Sequence, residues 1–248
     1  VPTTVRTVVG DQDPSGDVSA GLAAGKDYFL FRFKSYVWRI RVNLDAYPDH
    51  PTRRLILRGG GVTTVNSDPN TAPGFFEGGR GWEIFIDGIK FRGNGHDHPD
   101  AAETRPLCAF SDFTLFKAYA SRWECGGDTG LFLGAPVGEG RVGIYHCHFD
   151  KNARHGLDMD RVGDFAMVKP IVQRNGDHGL RITNNRTSGT IRGAHLEGHD
   201  RGPDHDWGIH ASGAFNLGVY EGRFRRNAVD GAILFDFDER TGADLGMK

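Results

Sequence analysis

Three side chains with acid–base or anion-binding chemistry occupy the same place in a repeated segment. Each follows a glycine by two residues and stands between two apolar residues: Asp158, Arg181 and His210. Because alternate residues of a β-strand face opposite sides, the apolar neighbours predict a buried face and the three polar side chains an outward face. If the strands stack, a carboxylate, a guanidinium and an imidazole form one row on the surface.

A second set of residues stands directly before the repeated glycines and is predicted to lie beside the first row. Its members bring two imidazoles, an indole and a carboxylate: His155, His178, Trp207 and Asp230. An arginine neutralises a carboxylate with two hydrogen bonds, an imidazole exchanges a proton near neutral pH, and an aromatic ring can stack on a sugar ring. These groups suit an acidic sugar and abstraction of the proton beside its carboxylate, the step that polysaccharide lyases and C5 epimerases share.

The two rows predict individual roles. Arg181 would neutralise the carboxylate of a uronate, and Asp158 would orient the base or act as the acid. His210 or His178 would accept the α-proton, which completes the catalytic set. The residues of this surface that are predicted to bind the substrate are His155, Trp207 and Asp230. The alternative is a solvated exterior, because mixed charges on neighbouring strands avoid repulsion between like charges.

The strand before the repeated asparagine predicts a second outward surface. Four successive segments contribute two residues each: His146 and His148, Lys169 and Ile171, Gly193 and His195, and Glu221 and Arg223. Lys169 lies among three histidines there, where it could act as a general base or hold a phosphate or carboxylate group. We predict that Lys169 binds substrate, and a solvated row of mixed charge is again the alternative.

Two polar loops contain side chains that could bind a metal ion. They are His96, Asp97 and His98 in the first loop, and His199, Asp200, Asp204, His205 and Asp206 in the second. Carboxylates could hold Ca²⁺, and mixed histidine and aspartate ligands could hold Zn²⁺ or Mn²⁺. Neither loop has the ligand spacing of a known metal motif. We therefore favour loops that are only exposed to solvent, and we assign no metal ligand. Ca²⁺ is the one cofactor that we predict as possible.

The candidate residues belong to segments that repeat along the chain. Each segment has a bulky apolar residue, an asparagine three positions later, a glycine four positions after that, and then an apolar residue. The regular copies are Phe149/Asn152/Gly156/Leu157, Val172/Asn175/Gly179/Leu180 and Phe224/Asn227/Gly231/Ala232, and Leu196/His199/Gly208 form a looser copy. From Gly156 the glycines recur after 23, 29 and 23 residues, a period that predicts a solenoid.

Short runs of alternating apolar and polar residues, with no helical period between them, predict the fold. Strands that return to the same place every 23 to 29 residues stack in parallel about 4.8 Å apart, and the crossover rule predicts a right-handed path. The sequence therefore predicts an all-β protein, a right-handed parallel β-helix. We interpret Asn152, Asn175 and Asn227 as structural residues that adopt left-handed backbone angles at a corner and bond to one another along the stack.

The chain of 248 residues is predicted to be a single domain. Residues 1–53 would form an N-terminal cap and the first strands, with a short helix in the stretch VSAGLAAG. Residues 54–235 would form regular coils and residues 236–248 a tail. A cap would cover the unpaired strand edges of the first coil. Nothing near the C-terminus is plainly a cap, so further chain or a partner copy, in a trimer or an end-to-end homo-oligomer, is expected to cover that end.

Composition argues against several classes of protein. A net charge of −2, with basic and acidic residues interspersed, gives no electrostatic reason to expect nucleic acid as a partner. The sequence has no apolar run near the roughly 20 residues that span a bilayer. The three cysteines, Cys108, Cys125 and Cys147, occupy different places in their coils and are predicted to be buried free thiols.

Residues 54–235 resemble the pectate-lyase-like superfamily of right-handed β-helix proteins. The stretch Gly156-Leu157-Asp158-Met159-Asp160 is followed one coil later by Asn175-Gly176-Asp177-His178-Gly179-Leu180. This order is similar to that of the mannuronan C5 epimerases, in which Gly-Phe-Asp-Pro-His precedes the next Asn-Gly coil. The resemblance implies that Asp158 is a catalytic aspartate. The sequence has Met159 and Asp160 where the epimerases have proline and histidine, which leaves the proton-transfer partner unassigned.

These observations predict an extracellular or surface-exposed β-helix protein that binds an acidic polysaccharide and could process it as a lyase or a C5 epimerase. Long loops beside a solenoid face form the walls of a groove, and here these would be Asn94–Ala109 and Asp200–Asp206. The alternative is a noncatalytic structural β-helix, such as a virion spike, an adhesin or a self-assembling surface subunit, whose outward rows are only solvated.

Overall fold

The structure is a computed structural model that describes residues 6–10, 13–32, 35–68, 74–94, 105–135, 140–184, 188–198, 208–213, 216–225 and 233–236. Within these ranges it has one α-helix, α1 (Pro14–Ala23), and one turn of 3-10 helix (Leu44–Ala46). The strands are β1 (Arg6–Val9), β2 (Tyr28–Phe31), β3 (Ser35–Trp38), β4 (Val42–Asn43), β5 (Arg54–Ser67), β6 (Phe76–Gly78), β7 (Glu83–Arg92), β8 (Cys108–Ser111), β9 (Leu115–Tyr119), β10 (Arg122–Glu124), β11 (Leu131–Gly134), β12 (Arg141–Tyr145), β13 (His148–Asp150), β14 (Leu157–Asp160), β15 (Phe165–Val168), β16 (Ile171–Gln173), β17 (Leu180–Thr183), β18 (Ser188–Arg192), β19 (His195–Glu197), β20 (Ile209–Ser212), β21 (Asn216–Tyr220), β22 (Arg223–Arg225) and β23 (Ile233–Asp236).

The strands form three parallel faces, which we call sheets 1, 2 and 3. Sheet 1 contains β1, β2, β9, β12, β15, β18 and β21, and sheet 2 contains β3, β10, β13, β16, β19 and β22. The long strands β5 and β7 bend from sheet 1 into sheet 2 and join the two. Sheet 3 contains β4, β6, β8, β11, β14, β17, β20 and β23.

The chain visits the three sheets in the same order in each coil and makes a solenoid of about seven turns. Leu157 pairs with Leu180, and Leu180 with Ile209, so the register repeats at the spacing found in the sequence. The additional residues of the longer coil fall between β19 and β20 in the sequence, outside the described residues. The predicted all-β parallel solenoid is confirmed.

Bulky residues on the inner side of sheet 2 stack from coil to coil. The rings of Phe91, Trp123 and Phe149 follow one another with centroid separations of 5.7 and 5.2 Å. Val172 and Leu196 continue the same ladder, and all five residues are buried. Each coil therefore packs its bulky residue on that of its neighbour, which makes the core continuous along the axis.

The repeated asparagines form a ladder of buried amides between sheets 2 and 3. Asn152 Nδ2 donates to Asn175 Oδ1 at 2.9 Å, and Asn152 Oδ1 accepts from the backbone N–H of Gly126 at 3.0 Å. Asn152 and Asn175 are 2% and 0% exposed. A Cβ at Gly156 would lie 2.8 Å from the Asn175 amide nitrogen, so glycine is required there for close approach. The predicted structural ladder is confirmed for these two asparagines, and Asn227 lies outside the described residues.

The predicted left-handed backbone at the asparagines is wrong. The residue before each asparagine adopts it instead: Lys151 has φ 55° before Asn152, and Arg174 has φ 51° before Asn175. The chain must turn one residue earlier because the asparagine side chain points into the corner, where its amide bonds to the neighbouring coils. One residue of the corner thus provides the left-handed turn, and the next provides the amide that bonds to the neighbouring coils.

Helix α1 covers the N-terminal end of the solenoid, where the sequence predicted a short helix. It packs against β1, β3 and β4 with Val18 and Leu22 buried. It begins earlier than the predicted stretch because Asp13 caps it, accepting from the backbone N–H of Gly16 at 3.0 Å, and Pro14 follows in the first turn. Apolar core at the first coil is thereby shielded from water.

The three cysteines are buried and free, as predicted. Burial raises the pKa of Cys108 and Cys147 to about 12, so both stay as thiols at physiological pH and act as apolar core groups. Within the part of the chain that the structure describes, no helix is long and apolar enough to span a membrane.

An ion-pair network covers the outer side of sheet 2. Asp150 accepts from Arg122 at 2.6 Å and from Arg174 through two bonds of 2.7 and 3.0 Å. Glu124 contacts Arg122 at 2.6 Å and also contacts Lys90. Asp150 and Glu124 are 2% and 5% exposed, so these buried carboxylates depend on the cations that lie over them.

Replacing Asp150 by asparagine is expected to lower the free energy of unfolding by about 2 kcal/mol, because the amide cannot balance the charge of Arg122 and Arg174. Both arginine side chains are partly exposed, which keeps the loss below that of a fully buried pair. Urea unfolding followed by circular dichroism measures the change. The matched control is Asp87→Asn, which removes an exposed carboxylate facing Arg58 and should cost less than about 0.5 kcal/mol. Equal losses in the two variants would contradict the prediction.

Candidate functional site on sheet 3

The first predicted row is formed on sheet 3. Asp158 of β14 pairs in register with Arg181 of β17, and Arg181 with His210 of β20. Arg181 Nη1 donates to Asp158 Oδ2 at 3.1 Å. The alternation of the sequence predicts an outward Asp158, yet the residue is only 7% exposed, because the guanidinium lies against its carboxylate. The row is therefore an ion pair beside an imidazole.

The imidazoles of the second row pack against the first row. The rings of His155 and His178 stack with their centroids 5.2 Å apart, and His178 Nε2 lies 3.0 Å from His210 Nδ1. One of these two nitrogens must donate and the other accept, so His178 and His210 share a proton between them. The predicted residues that the structure brings together are Asp158, Arg181, His210, His178 and His155.

A third row lies beside these two and was not singled out from the sequence. Arg154 Nη1 lies 3.5 Å from Asp128 Oδ1, and Arg154 Nε donates to Asp177 Oδ2 at 3.3 Å. Each of the three residues follows the asparagine position of its coil by two, and that spacing could have revealed the row. We call the three rows together the sheet-3 cluster, which comprises Asp128, Arg154, His155, Asp158, Asp177, His178, Arg181 and His210.

His155 is a neutral imidazole within the cluster. Its pKa is lowered to about 2. Burial is the largest cause, and the nearby His178, Arg154, Arg181 and His210 act in the same direction. The backbone N–H of His178 points at His155 Nδ1 from 3.4 Å, which places the ring proton of His155 on Nε2. Asp177 Oδ2 lies 4.0 Å from His155 Nδ1, but a neutral ring forms no ion pair with it.

Two carboxyl groups of the cluster are harder to ionise than usual. Burial raises the pKa of Asp158 although Arg181 opposes the shift, and burial raises the pKa of Asp128 although Arg154 opposes it. Asp158 Oδ1 is buried and makes no hydrogen bond. Burial favours the protonated carboxyl of Asp158, the form that a general acid requires, whereas the ion pair with Arg181 favours the carboxylate.

Asp160, at the end of β14, is held by hydrogen bonds to neighbouring residues. Burial alone would raise the pKa of Asp160, but hydrogen bonds from Asn184, Arg161 and Thr183 outweigh burial and lower it. The shortest of these bonds runs from Asn184 Nδ2 to Asp160 Oδ1 at 2.8 Å. Asp160 therefore stays ionised and fixes the end of its strand, which leaves Asp158 and the imidazoles as the groups of the cluster that could transfer a proton.

Of the remaining predicted residues, the structure describes Lys169 alone, and it lies apart from the cluster. Lys169 lies at the corner between sheets 1 and 2, where it lines a separate groove. Trp207 and Asp230 lie outside the described residues, as do most of the loop Asn94–Ala109 and all of Asp200–Asp206, the predicted walls of a groove.

The histidines and aspartates predicted as possible metal ligands also fall on residues that the structure does not describe. Among the residues that it does describe, no group of three or more histidine, cysteine, aspartate or glutamate side chains is arranged to hold a metal ion.

Two of the three carboxylates of the cluster lie beneath guanidinium groups. The side chains of Arg154 and Arg181 are 57% and 38% exposed, those of Asp128 and Asp158 are 12% and 9% exposed, and that of Asp177, which pairs with Arg154, is 37% exposed. A carboxylate that approaches Arg181 therefore meets the guanidinium before Asp158. Beside these donors, the His178–His210 pair can take up a proton and pass it between two rings. The cluster can hold an anion and transfer a proton at the same place.

Comparisons with known proteins give little beyond the architecture. No protein-family model matches the sequence, and no curated protein matches it. Among solved structures, the chain is similar to the A-module of a mannuronan C-5 epimerase from Azotobacter vinelandii, with 10% sequence identity over 95% of this chain and 96% of that one and a TM-score of 0.30. No residue role follows from a similarity at this level.

Proposed function

We propose that the protein binds an acidic polysaccharide at the sheet-3 cluster and transfers a proton at the carbon beside a uronate carboxylate, as a lyase or a C5 epimerase does. The observation that carries the proposal is the Arg181–Asp158 ion pair next to the His178–His210 pair. This chemistry requires an anion site and a proton-transfer group side by side. We further propose that the protein works extracellularly or on a cell or virion surface, where such polymers occur.

Arg181 holds the substrate in this mechanism. A guanidinium has five N–H donors, and Asp158 uses one of them at 3.1 Å. The other donors of the partly exposed side chain bind the uronate carboxylate. Neutralising this carboxylate acidifies the adjacent C–H group, because the negative charge that develops on proton removal is delocalised toward the guanidinium.

The imidazole pair is the base. One ring of the pair accepts the α-proton, and the bond of 3.0 Å between His178 and His210 allows the second ring to share it. In its protonated form, which burial favours, Asp158 supplies a proton either to the leaving glycosidic oxygen as the C–O bond breaks, which gives an unsaturated product, or to the opposite face of the sugar, which gives the epimer. His155 stays neutral and orients His178 by stacking against it.

Turnover of a panel of uronate polymers tests the proposal. Pectate, polymannuronate and polyguluronate are incubated with the protein in the presence and absence of Ca²⁺. Absorbance of the unsaturated product detects a lyase, and exchange of the C5 proton with deuterated water detects an epimerase. In Asp158→Asn and His178→Gln the rate is expected to fall by about a hundredfold or more, because each loses a proton-transfer group.

Arg181→Ala is expected to lose activity to a similar extent, whereas Arg192→Ala is the matched control. Arg192 is an exposed arginine of sheet 1 that lies over the Tyr220 ring, and its loss should leave the rate unchanged. Circular dichroism verifies that each variant is folded. Activity that survives Arg181→Ala and Asp158→Asn would show that the sheet-3 cluster is not the active site. No activity on any uronate polymer would contradict the proposal and favour a noncatalytic surface protein.

A further inference from the structure

A second groove runs along the corner between sheets 1 and 2, apart from the sheet-3 cluster. It has a volume of about 540 Å³. At this corner each coil places one residue in the left-handed conformation, and in the coils of the groove these residues are His146 (φ 54°), Lys169 (φ 50°), Gly193 (φ 64°) and Glu221 (φ 56°). Gly193 contributes no side chain, so the groove is open at that coil between Lys169 and Glu221.

The floor of the groove is apolar. Ile171 and the buried Ala194 line it beside Gly193. A Cβ at Gly193 would lie 3.2 Å from Lys169 Cγ, so any larger residue there would occupy the opening. An apolar floor beneath polar edges is the arrangement of sites that bind small organic ligands, and the C–H face of a sugar ring can lie on such a floor.

The edge of the groove carries more positive than negative charge. Lys169 and Arg223 are both exposed, and Glu221 is the one carboxylate among the lining residues. Within the described part of the chain neither Lys169 nor Arg223 forms an ion pair, in contrast to Arg122 and Arg174 of the same face. Two cations without such partners are available to an anionic ligand.

The groove is elongated along the solenoid axis. His148, Ile171, His195 and Arg223 follow one another in register on four successive strands of sheet 2. Three strand spacings separate the first from the last, a length of roughly 14 Å. A single phosphate or sulfate ion is much shorter than this, so the length favours a short chain with a negative charge at intervals.

We propose that this corner groove binds an acidic oligosaccharide, with a sugar ring on the floor of Ile171 and Ala194 and its carboxylate between Lys169 and Arg223. The choice of a sugar rests on the proposed function, whereas the groove and its charge do not. The site is a binding site and takes no part in proton transfer. It would hold a further part of the polymer or anchor the protein to it.

Titration by NMR tests the proposal at the site itself. The backbone amides of Lys169, Ile171 and residues 193–195 are followed while trigalacturonate or trimannuronate is added at low salt. At least one of these uronate trisaccharides is expected to shift these amides, and uncharged maltotriose is expected not to. In the double variant Lys169→Gln, Arg223→Gln the dissociation constant should rise about tenfold or more, because both charged contacts are lost.

A steric variant tests the groove without changing its charge. Asparagine tolerates the left-handed conformation, so Gly193→Asn fills the opening with little cost to the fold. It is expected to weaken binding about tenfold. The matched control is Gly198→Asn, which changes another left-handed glycine (φ 70°) at the next corner, outside the groove, and should leave the dissociation constant unchanged.

The possible results separate this proposal from the proposed function. If no uronate trisaccharide shifts these amides, or if Gly193→Asn binds as well as the parent, the groove is not the binding site. If inorganic phosphate shifts the same amides with an equal dissociation constant, the site takes small oxyanions and the proposal of a sugar is wrong. Because binding here is expected to persist in Asp158→Asn, loss of turnover and loss of binding are measured independently.

Discussion

The variant Asn152→Ala is expected to lose about 4 kcal/mol of unfolding free energy, because the amide of Asn152 serves three backbone or side-chain partners in a buried corner. Its Oδ1 accepts from the N–H of Gly126, and its Nδ2 donates to Asn175 Oδ1 and to the carbonyl oxygen of Trp123 at 3.3 Å. Asn152 is 2% exposed, so water cannot readily replace these bonds. Each buried group left without a partner costs about 1 to 3 kcal/mol.

Urea unfolding at neutral pH, followed by fluorescence and circular dichroism, measures this loss. Asn216→Ala is the matched control because Asn216 is an exposed strand residue, and its change should stay within about 0.5 kcal/mol. If the protein with alanine at position 152 does not fold, thermal denaturation of Asn152→Gln gives the direction of the effect. A loss below about 1 kcal/mol in Asn152→Ala would mean that the amide ladder contributes little to stability.

Acidification from pH 7.5 to pH 5 is expected to remove about 2 kcal/mol of stability through His155 alone. The pKa of His155 is about 2 in the folded protein and 6.5 for an ordinary histidine. Below pH 6.5 the unfolded chain therefore binds a proton at His155 that the folded protein does not bind. A group whose pKa is lowered by folding contributes stability that is present above the unfolded pKa and is lost as the pH falls, by about 1.4 kcal/mol for each unit.

The measurement is the free energy of unfolding at half-unit intervals between pH 7.5 and pH 5. His155→Gln should flatten this dependence, whatever its effect on stability at pH 7.5. His195→Gln is the matched control, since it removes a half-buried imidazole of sheet 2 far along the surface from the cluster. The raised pKa values of Asp128 and Asp158 oppose the effect of His155, because these carboxyl groups bind protons more readily in the folded protein than in the unfolded chain. An unchanged slope in His155→Gln would show that His155 takes up its proton over the same pH range in the folded protein as in the unfolded chain.

The rows of the candidate site could be predicted from the sequence, because residues at the same position in successive coils lie next to one another. Asp158, Arg181 and His210 share one register because each follows its glycine by two residues. The same counting from Asn152 and Asn175 leads to Arg154 and Asp177, but it requires the expectation that turns stack as regularly as strands. The backbone bond from the N–H of Asp177 to the carbonyl oxygen of Arg154 at 3.0 Å shows that they do.

Burial and pairing could not be predicted in this way. Alternation assigns Asp158 to the outside, but the guanidinium of Arg181, 3.1 Å away, covers the carboxylate of Asp158 and changes its chemistry. The proton shared by His178 and His210 depends on side-chain torsions that place two ring nitrogens 3.0 Å apart. Those torsions are set by contacts between coils that are separated by up to 32 residues in the chain.

The sequence by itself determined the solenoid, the register of its strands and the structural nature of Asn152 and Asn175, because a parallel stack repeats each position at a fixed interval and every coil must bury the same places. The tertiary structure alone decided which outward residues act together. The distance between neighbouring strands is fixed by backbone hydrogen bonds. The direction in which each side chain points depends instead on the side chains of the adjacent coils that it contacts. Acid–base chemistry depends on those directions and on burial, and both arise only when the coils are stacked.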